Sequence, residues 1–207
     1  FLGVVFFVSF AILGLLGGQI YQMAPPIPER VVATDGSVLM TRADIERGRQ
    51  VWQSMGGQQV GSVWGHGGYV APDWSADWIH REATALLDLW STNAHEKLFA
   101  TLDVEQQAIF KARLIKEIRG NTYDPATGDV IVSADRATAM EDTLTHYIDL
   151  FGDHPDFHSL REAYALAENP IPNENHRQWL ARFFFWTGWA ASTNRPGEDV
   201  TYTSNRP

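Results

Sequence analysis

Cysteine is absent from all 207 residues. That removes disulfide staples, thiolate zinc sites, cysteine nucleophiles, iron–sulfur clusters and haem attached through C-x-x-C-H. Basic charge is scarce, with 16 Lys and Arg against 25 Asp and Glu and a formal net charge of −9. This balance argues against a nucleic-acid binder, whose affinity comes largely from cations neutralising phosphates. There is no P-loop, nucleophile elbow, His-Glu-x-x-His or dinucleotide fingerprint. Gly65-x-Gly67-Gly68 is too weak for the last of these, because no strand pattern precedes it. Charge of either sign is missing before Glu29.

What fills that uncharged stretch is FLGVVFFVSFAILGLLGG, Phe1 to Gly18, with Ser9 as its one polar side chain. Counted through Met23, at about 1.5 Å per residue, it would reach roughly 30 Å, the thickness of a bilayer core. A transmembrane helix over 1–23 is therefore expected, with Tyr21 at headgroup level. Residues 24–40 read as a linker that opens on a stiff Ala24-Pro-Pro-Ile-Pro28 spacer.

The remainder is mostly helical in pattern. Thr41-x-x-Asp44 is a capping-box start, followed by Ile45, Gly48, Trp52 and Met55 on one face. Residues 57–72 carry five glycines and end on Pro72, which marks a loop. Further helices are expected from Asp73 or Ser75 towards Phe99, from Asp103 to Gly120, from Ser133 to near Gly152, around 159–168, and over about 175–192. Asp124-Pro125 and Thr127-Gly128, flanked by Tyr123 and Val130 to Val132, predict a short β-hairpin. The 175–192 segment carries Phe183 to Trp186 between further tryptophans. It reads either as a core helix or as a helix docked at a membrane surface, with Arg177 and Arg182 snorkelling; the latter is the working expectation. Each of the seven histidines reads as an ordinary structural residue, and His80 and Glu82 suit surface or capping roles. Pro155 interrupts the one i,i+4 histidine pair, His154 and His158.

The richest block is Trp64-Gly-His-Gly-Gly-Tyr-Val-Ala-Pro-Asp-Trp-Ser-Ala-Asp-Trp78, followed by His80-Arg-Glu82. Together with Ala24-Pro-Pro-Ile-Pro-Glu29, Thr122-Tyr-Asp-Pro-Ala-Thr-Gly128, Phe183-Phe-Phe-Trp-Thr-Gly-Trp189 and Val200-Thr-Tyr-Thr203, it closely resembles the N-terminal extension of the quinol-dependent nitric oxide reductases. The resemblance implies a cytochrome c-like helical fold that has lost its haem. Val51-Trp52-Gln53 and Gly67-Gly68-Tyr69-Val-Ala-Pro72 match the stretches that flank haem attachment in cytochrome-dependent relatives. Between them stands Ser54-Met-Gly-Gly-Gln-Gln59, with neither thiol nor haem histidine. Trp52, Trp64, Trp74 and Trp78 are expected to fill the vacated interior.

Expected architecture is thus mainly α: a transmembrane helix (1–23), a linker (24–40), and a haem-less cytochrome c-like extracytoplasmic domain with a small β-hairpin (41–172). An amphipathic interfacial helix leading to the next membrane segment completes it (173–207). The implied activity is that of a membrane quinol-oxidising nitric oxide reductase, turning two NO into N2O and water. Its two haems b and non-haem iron lie in a multi-helix catalytic domain outside these residues, in the same polypeptide or another chain. No catalytic residue is assigned here. Gly67 and Tyr69 match positions that help hold a calcium ion beside the haem propionates, and oxygen donors suit that ion. Membrane quinol, the catalytic domain and the bilayer are the implied partners, and the periplasmic side of a bacterial inner membrane the implied location. The alternatives are a membrane-tethered non-catalytic assembly subunit and the corresponding region of a nitric oxide dismutase.

Overall fold

The computed structural model describes residues 2–65 and 67–204, apart from the side chains of Gln19 and Gln22. Phe1 of the expected span, His66 of the glycine-rich block and Arg206-Pro207 of the expected tail lie outside the described residues.

The apolar N-terminus forms a helix, α1 (Leu2–Gln22), whose large side chains are exposed. The expected transmembrane span is nevertheless corrected: among the described residues, no helix is long and apolar enough to cross a membrane. The expected reach counted the whole of 1–23, including the polar end from Gln19. The described apolar run, Leu2 to Gly18, covers only about 25 Å at 1.5 Å per residue, against a hydrocarbon core of about 30 Å.

Residues expected as linker instead build half of a sheet. Strands β1 (Arg30–Ala33) and β2 (Val38–Thr41) pair antiparallel around Asp35-Gly36. The predicted hairpin forms as β3 (Tyr123–Asp124) and β4 (Asp129–Val132). β4 then pairs in parallel with β1, Val31 opposite Val130, giving the order β2-β1-β4-β3. The β1–β2 pair escaped sequence reading because prolines 25, 26 and 28 immediately precede it and masked a short Val-rich strand. Arg30 fastens the two hairpins through both oxygens of Asp129, at 3.1 and 2.6 Å.

Six further helices follow: α2 (Arg42–Ser54), α3 (Trp74–His95), α4 (Val104–Arg119), α5 (Ala134–Leu150), α6 (His158–Ala163) and α7 (Glu174–Ser192). Their starts obey local chemistry. Thr41 and Asp44 form the reciprocal capping box of α2, and Asp73, Asp103, Ser133 and Asn173 each accept an amide of the turn they open. Gly120 ends α4, as expected.

α7 is the hub of the bundle, packed on α2, α3 and α5. Leu180, Ala181 and every residue from Phe183 to Ala190 are buried. A docked surface helix would keep one face outward, so the triple phenylalanine belongs to the core and not to a membrane interface. Arg177 turns inward too, donating to the Ile171 carbonyl at 2.9 Å. α2 crosses α7 so closely that only glycine fits at Gly48: a Cβ there would press on the Trp179 carbonyl and stand 2.7 Å from Phe183 Cβ. A smaller satellite core of Leu86, Trp90, Leu102, Phe110 and Ala139 joins α4 to α3 and α5.

Candidate functional site

Two neighbouring regions carry the residues singled out in the sequence: the interior between α2, α3, α5 and α7, and the glycine-rich loop that precedes α3.

The interior is aromatic and close-packed. Trp74 lies flat on Phe184, ring centres 5.2 Å apart, with Phe151 tilted and Tyr164 edge-on against it. One turn on, Trp78 stacks on Tyr147 at 5.5 Å and meets Phe185 edge-on. Both tryptophans are completely buried. Of the four tryptophans expected to fill the interior, these two do so. Trp52 is half-buried against Phe183, and Trp64 is 42% exposed. Where the attachment segment would stand, α2 runs out at Ser54 and a single tight turn (Gly57–Val60) follows. No thiol is available anywhere in the chain, and stacked indole and phenyl rings occupy the centre. The residues present do not fit a covalently held haem.

Polar groups are threaded through this core. Glu82 accepts from Trp78 Nε1 at 2.8 Å and from Arg136 Nε at 2.6 Å, both acid and base being almost wholly buried. The surface or capping role expected of Glu82 is thereby corrected. A signal for burial is present in the sequence: Trp74, Trp78, Glu82, Leu86 and Trp90 recur every four residues on one helical stripe. A second cluster borders it. Asp77 accepts from Tyr147 Oη at 2.7 Å and from Arg81 at 2.9 Å. Burial, then the neighbouring Asp77 charge, raises the Tyr147 phenol well above its ordinary range and keeps it protonated. Arg81 Nη1 lies 3.4 Å from His146 Nδ1, which assigns Nδ1 as the acceptor and places the ring proton on Nε2. Desolvation, followed by the Arg81 charge, lowers His146 to about 4. It is a neutral imidazole beneath a shallow groove between α3 and α5 that also presents His80, Asp88 and Asp142.

The loop is built differently. Its order comes from Asp73 and Ser62. Asp73 Oδ2 accepts from Ser62 Oγ and from the Gly65 amide, each at 2.7 Å, while Oδ1 caps α3 through Ala76. Ser62 Oγ in turn accepts the Gly67 amide at 2.9 Å. Gly67 holds φ at +79°, open only to glycine at low cost. Trp64 adopts a left-handed φ of 54° without being glycine, which costs on the order of 1 kcal/mol or more. It is held there by three contacts: its amide on Ser75 Oγ, its indole N–H on the Thr187 carbonyl at 2.7 Å, and its ring against Trp186. Tyr69 points fully into solvent and Val70 is exposed beside it.

Gly67 and Tyr69 thus share one short turn, but they offer only a carbonyl and a phenol oxygen. Calcium takes about six to eight oxygens. Asp73, the carboxylate of this loop, is already committed to loop and helix. No group of three or more His, Cys, Asp or Glu able to hold a metal occurs among the described residues.

The fold and site together describe a helical bundle with a small sheet, an aromatic interior and a glycine-rich loop on its rim, without a thiol to attach haem covalently. The chain belongs to the NorB cytochrome c-like domain family of nitric oxide reductase, which it matches over residues 28–207. That match spans the sheet, α2 to α7 and the loop. No curated protein matches the chain. The family is part of nitric oxide reductase, an oxidoreductase.

Proposed function

We propose that this domain is the cap of a quinol-oxidising nitric oxide reductase, through which electrons no longer pass. The observation that carries the reading is a cytochrome c-like domain with no cysteine in its chain. A domain of this family without a haem cannot relay electrons from a soluble cytochrome. The reducing equivalents then have to enter from the membrane phase, and the two-electron balance suits a quinol: QH2 + 2 NO → Q + N2O + H2O. Two haems b and a non-haem iron in the catalytic portion supply the redox chemistry when bound. None of the residues described above performs a step on them.

The role of this chain is geometric. It sits on the periplasmic side against the membrane-embedded catalytic portion, covers the haem edges and shapes the approach of quinol. The rigid aromatic interior supports that role, since a lid that excludes water must resist deformation. Trp64, Tyr69 and Val70, exposed on an ordered loop, provide the apolar rim that meets the catalytic portion. Gly67 and Tyr69 contribute two oxygens to a calcium ion whose remaining ligands, propionates and a carboxylate, come from that portion.

Turnover of the full enzyme decides the matter. A reduced quinol analogue is expected to drive NO consumption at an electrode with N2O as product, and reduced cytochrome c to drive none. Consumption sustained by cytochrome c, with quinol inert, overturns the reading.

A further inference from the structure

A cavity of about 380 Å³ lies where the end of α4, the edge of the sheet and the start of α5 meet. None of the roles above uses it. Its wall carries three hydroxyls, Thr34, Thr122 and Ser133, and three cations, Arg113, Lys116 and Arg136. Glu117 also lines it, but its carboxylate is engaged by the Ser133 hydroxyl at 2.6 Å.

Arg136 is the unusual member. It is 2% exposed. Its Nε is matched by Glu82, and its Nη1 reaches the Glu117 carbonyl at 3.4 Å. Its Nη2 is buried and meets no acceptor. An unsatisfied buried donor on a charged group is costly, so native interiors supply an acceptor to such groups. Arg136 lines the cavity, which is the open space beside its guanidinium. The other two cations differ from each other. Arg113 is engaged by Asp135 at 2.7 Å and covers the Trp90 ring. Lys116 is exposed and makes no ion pair among the described residues.

We propose that this cavity binds a small oxyanion, a carboxylate or a phosphate. The Arg136 guanidinium donates to it from the wall, Lys116 closes over it from the solvent side, and the threonine hydroxyls complete its hydrogen bonds. The volume exceeds the roughly 30 Å³ share of one water. A planar guanidinium donor paired with a mobile ammonium is the combination that recognises such groups. The site is separate from the loop bearing Gly67 and Tyr69 and does not depend on the proposed reaction.

Thermal unfolding of the full protein tests this with inorganic phosphate in one arm and acetate in the other, each against chloride at equal ionic strength. A saturable rise in Tm in at least one arm is expected, and the responding arm assigns the ligand chemistry. Lys116→Gln and Lys116→Glu change an exposed side chain and leave the buried Arg136–Glu82 pair intact. They should weaken the apparent affinity by about tenfold or more, charge reversal having the larger effect. No saturable shift in either arm overturns the proposal and leaves water as the partner of Arg136. So does a shift of equal size and midpoint in Lys116→Glu.

Discussion

Trp64 and Tyr69 stand only ten and nine residues before Trp74 and Trp78, yet the two pairs live in opposite surroundings. The second pair lies on one stripe of α3, sealed from water and stacked on rings from α5 and α7. The first pair rides on a loop whose shape comes from Asp73, Ser62 and a glycine in left-handed geometry. In α3 the helical period decides which aromatics go inward. In the loop, hydrogen bonds from two small polar side chains decide, and apolarity has little say. The interior accordingly behaves as scaffold, and the exposed loop is the face proposed to meet the catalytic portion.

Substitutions should separate the two regions in a graded way. Trp78→Ala removes a wholly buried indole and deprives Glu82 of a donor; a loss of about 3–5 kcal/mol in denaturant unfolding is expected. A loss below about 1 kcal/mol would mean that the interior is not the scaffold. Asp73→Ala takes away a helix cap and both ties to the loop. It should cost about 1–2 kcal/mol and expose the stretch around Gly65 to proteolysis while α3 and α7 stay protected. If cleavage does not rise there, Asp73 does not order the loop.

A further effect is read from pH. His146 is held neutral in the fold down to about pH 4, whereas an unfolded histidine takes up its proton near 6.5. Its contribution to stability is therefore complete above about pH 6.5 and is lost as pH falls through that window towards 4. His146→Asn should flatten the stability–pH curve between those limits, and an unchanged slope would assign it to other groups. The smallest change is expected for Tyr69→Phe, within about 0.5 kcal/mol in stability because the ring is exposed. Its effect should appear instead in the haem spectra of the full enzyme, matched by calcium chelation; spectra indifferent to both would remove Tyr69 from a metal site.

The sequence makes local elements legible but not this contrast, since it groups Trp64 with Trp74 and Trp78 as interior residues. The caps at Thr41, Asp103 and Ser133 and the hairpin at Asp124 to Gly128 rest on local chemistry, and local chemistry survives folding. What escaped was long-range. Val31 finds its second strand partner in Val130, about a hundred positions away, a pairing that no local pattern announces. Glu82 is buried only because Arg136 on another helix neutralises it. The triple phenylalanine resembled a membrane-facing segment because composition reports apolarity and not what covers it; α2, α3 and α5 cover it. The expected span over 1–23 is not met, since no helix among the described residues is long and apolar enough to cross a membrane. At the loop, Gly67 and Tyr69 stand out and Asp73 reads as a helix start, but the ties of Asp73 to Ser62 and Gly65, which hold the loop in shape, leave no pattern in the sequence.

Haem extraction from the full enzyme tests the central claim most directly. Acid acetone releases non-covalent haem and leaves covalent haem on the protein. The account predicts that all haem leaves with the solvent and gives a b-type pyridine haemochrome spectrum. Haem retained on this polypeptide after extraction would contradict it.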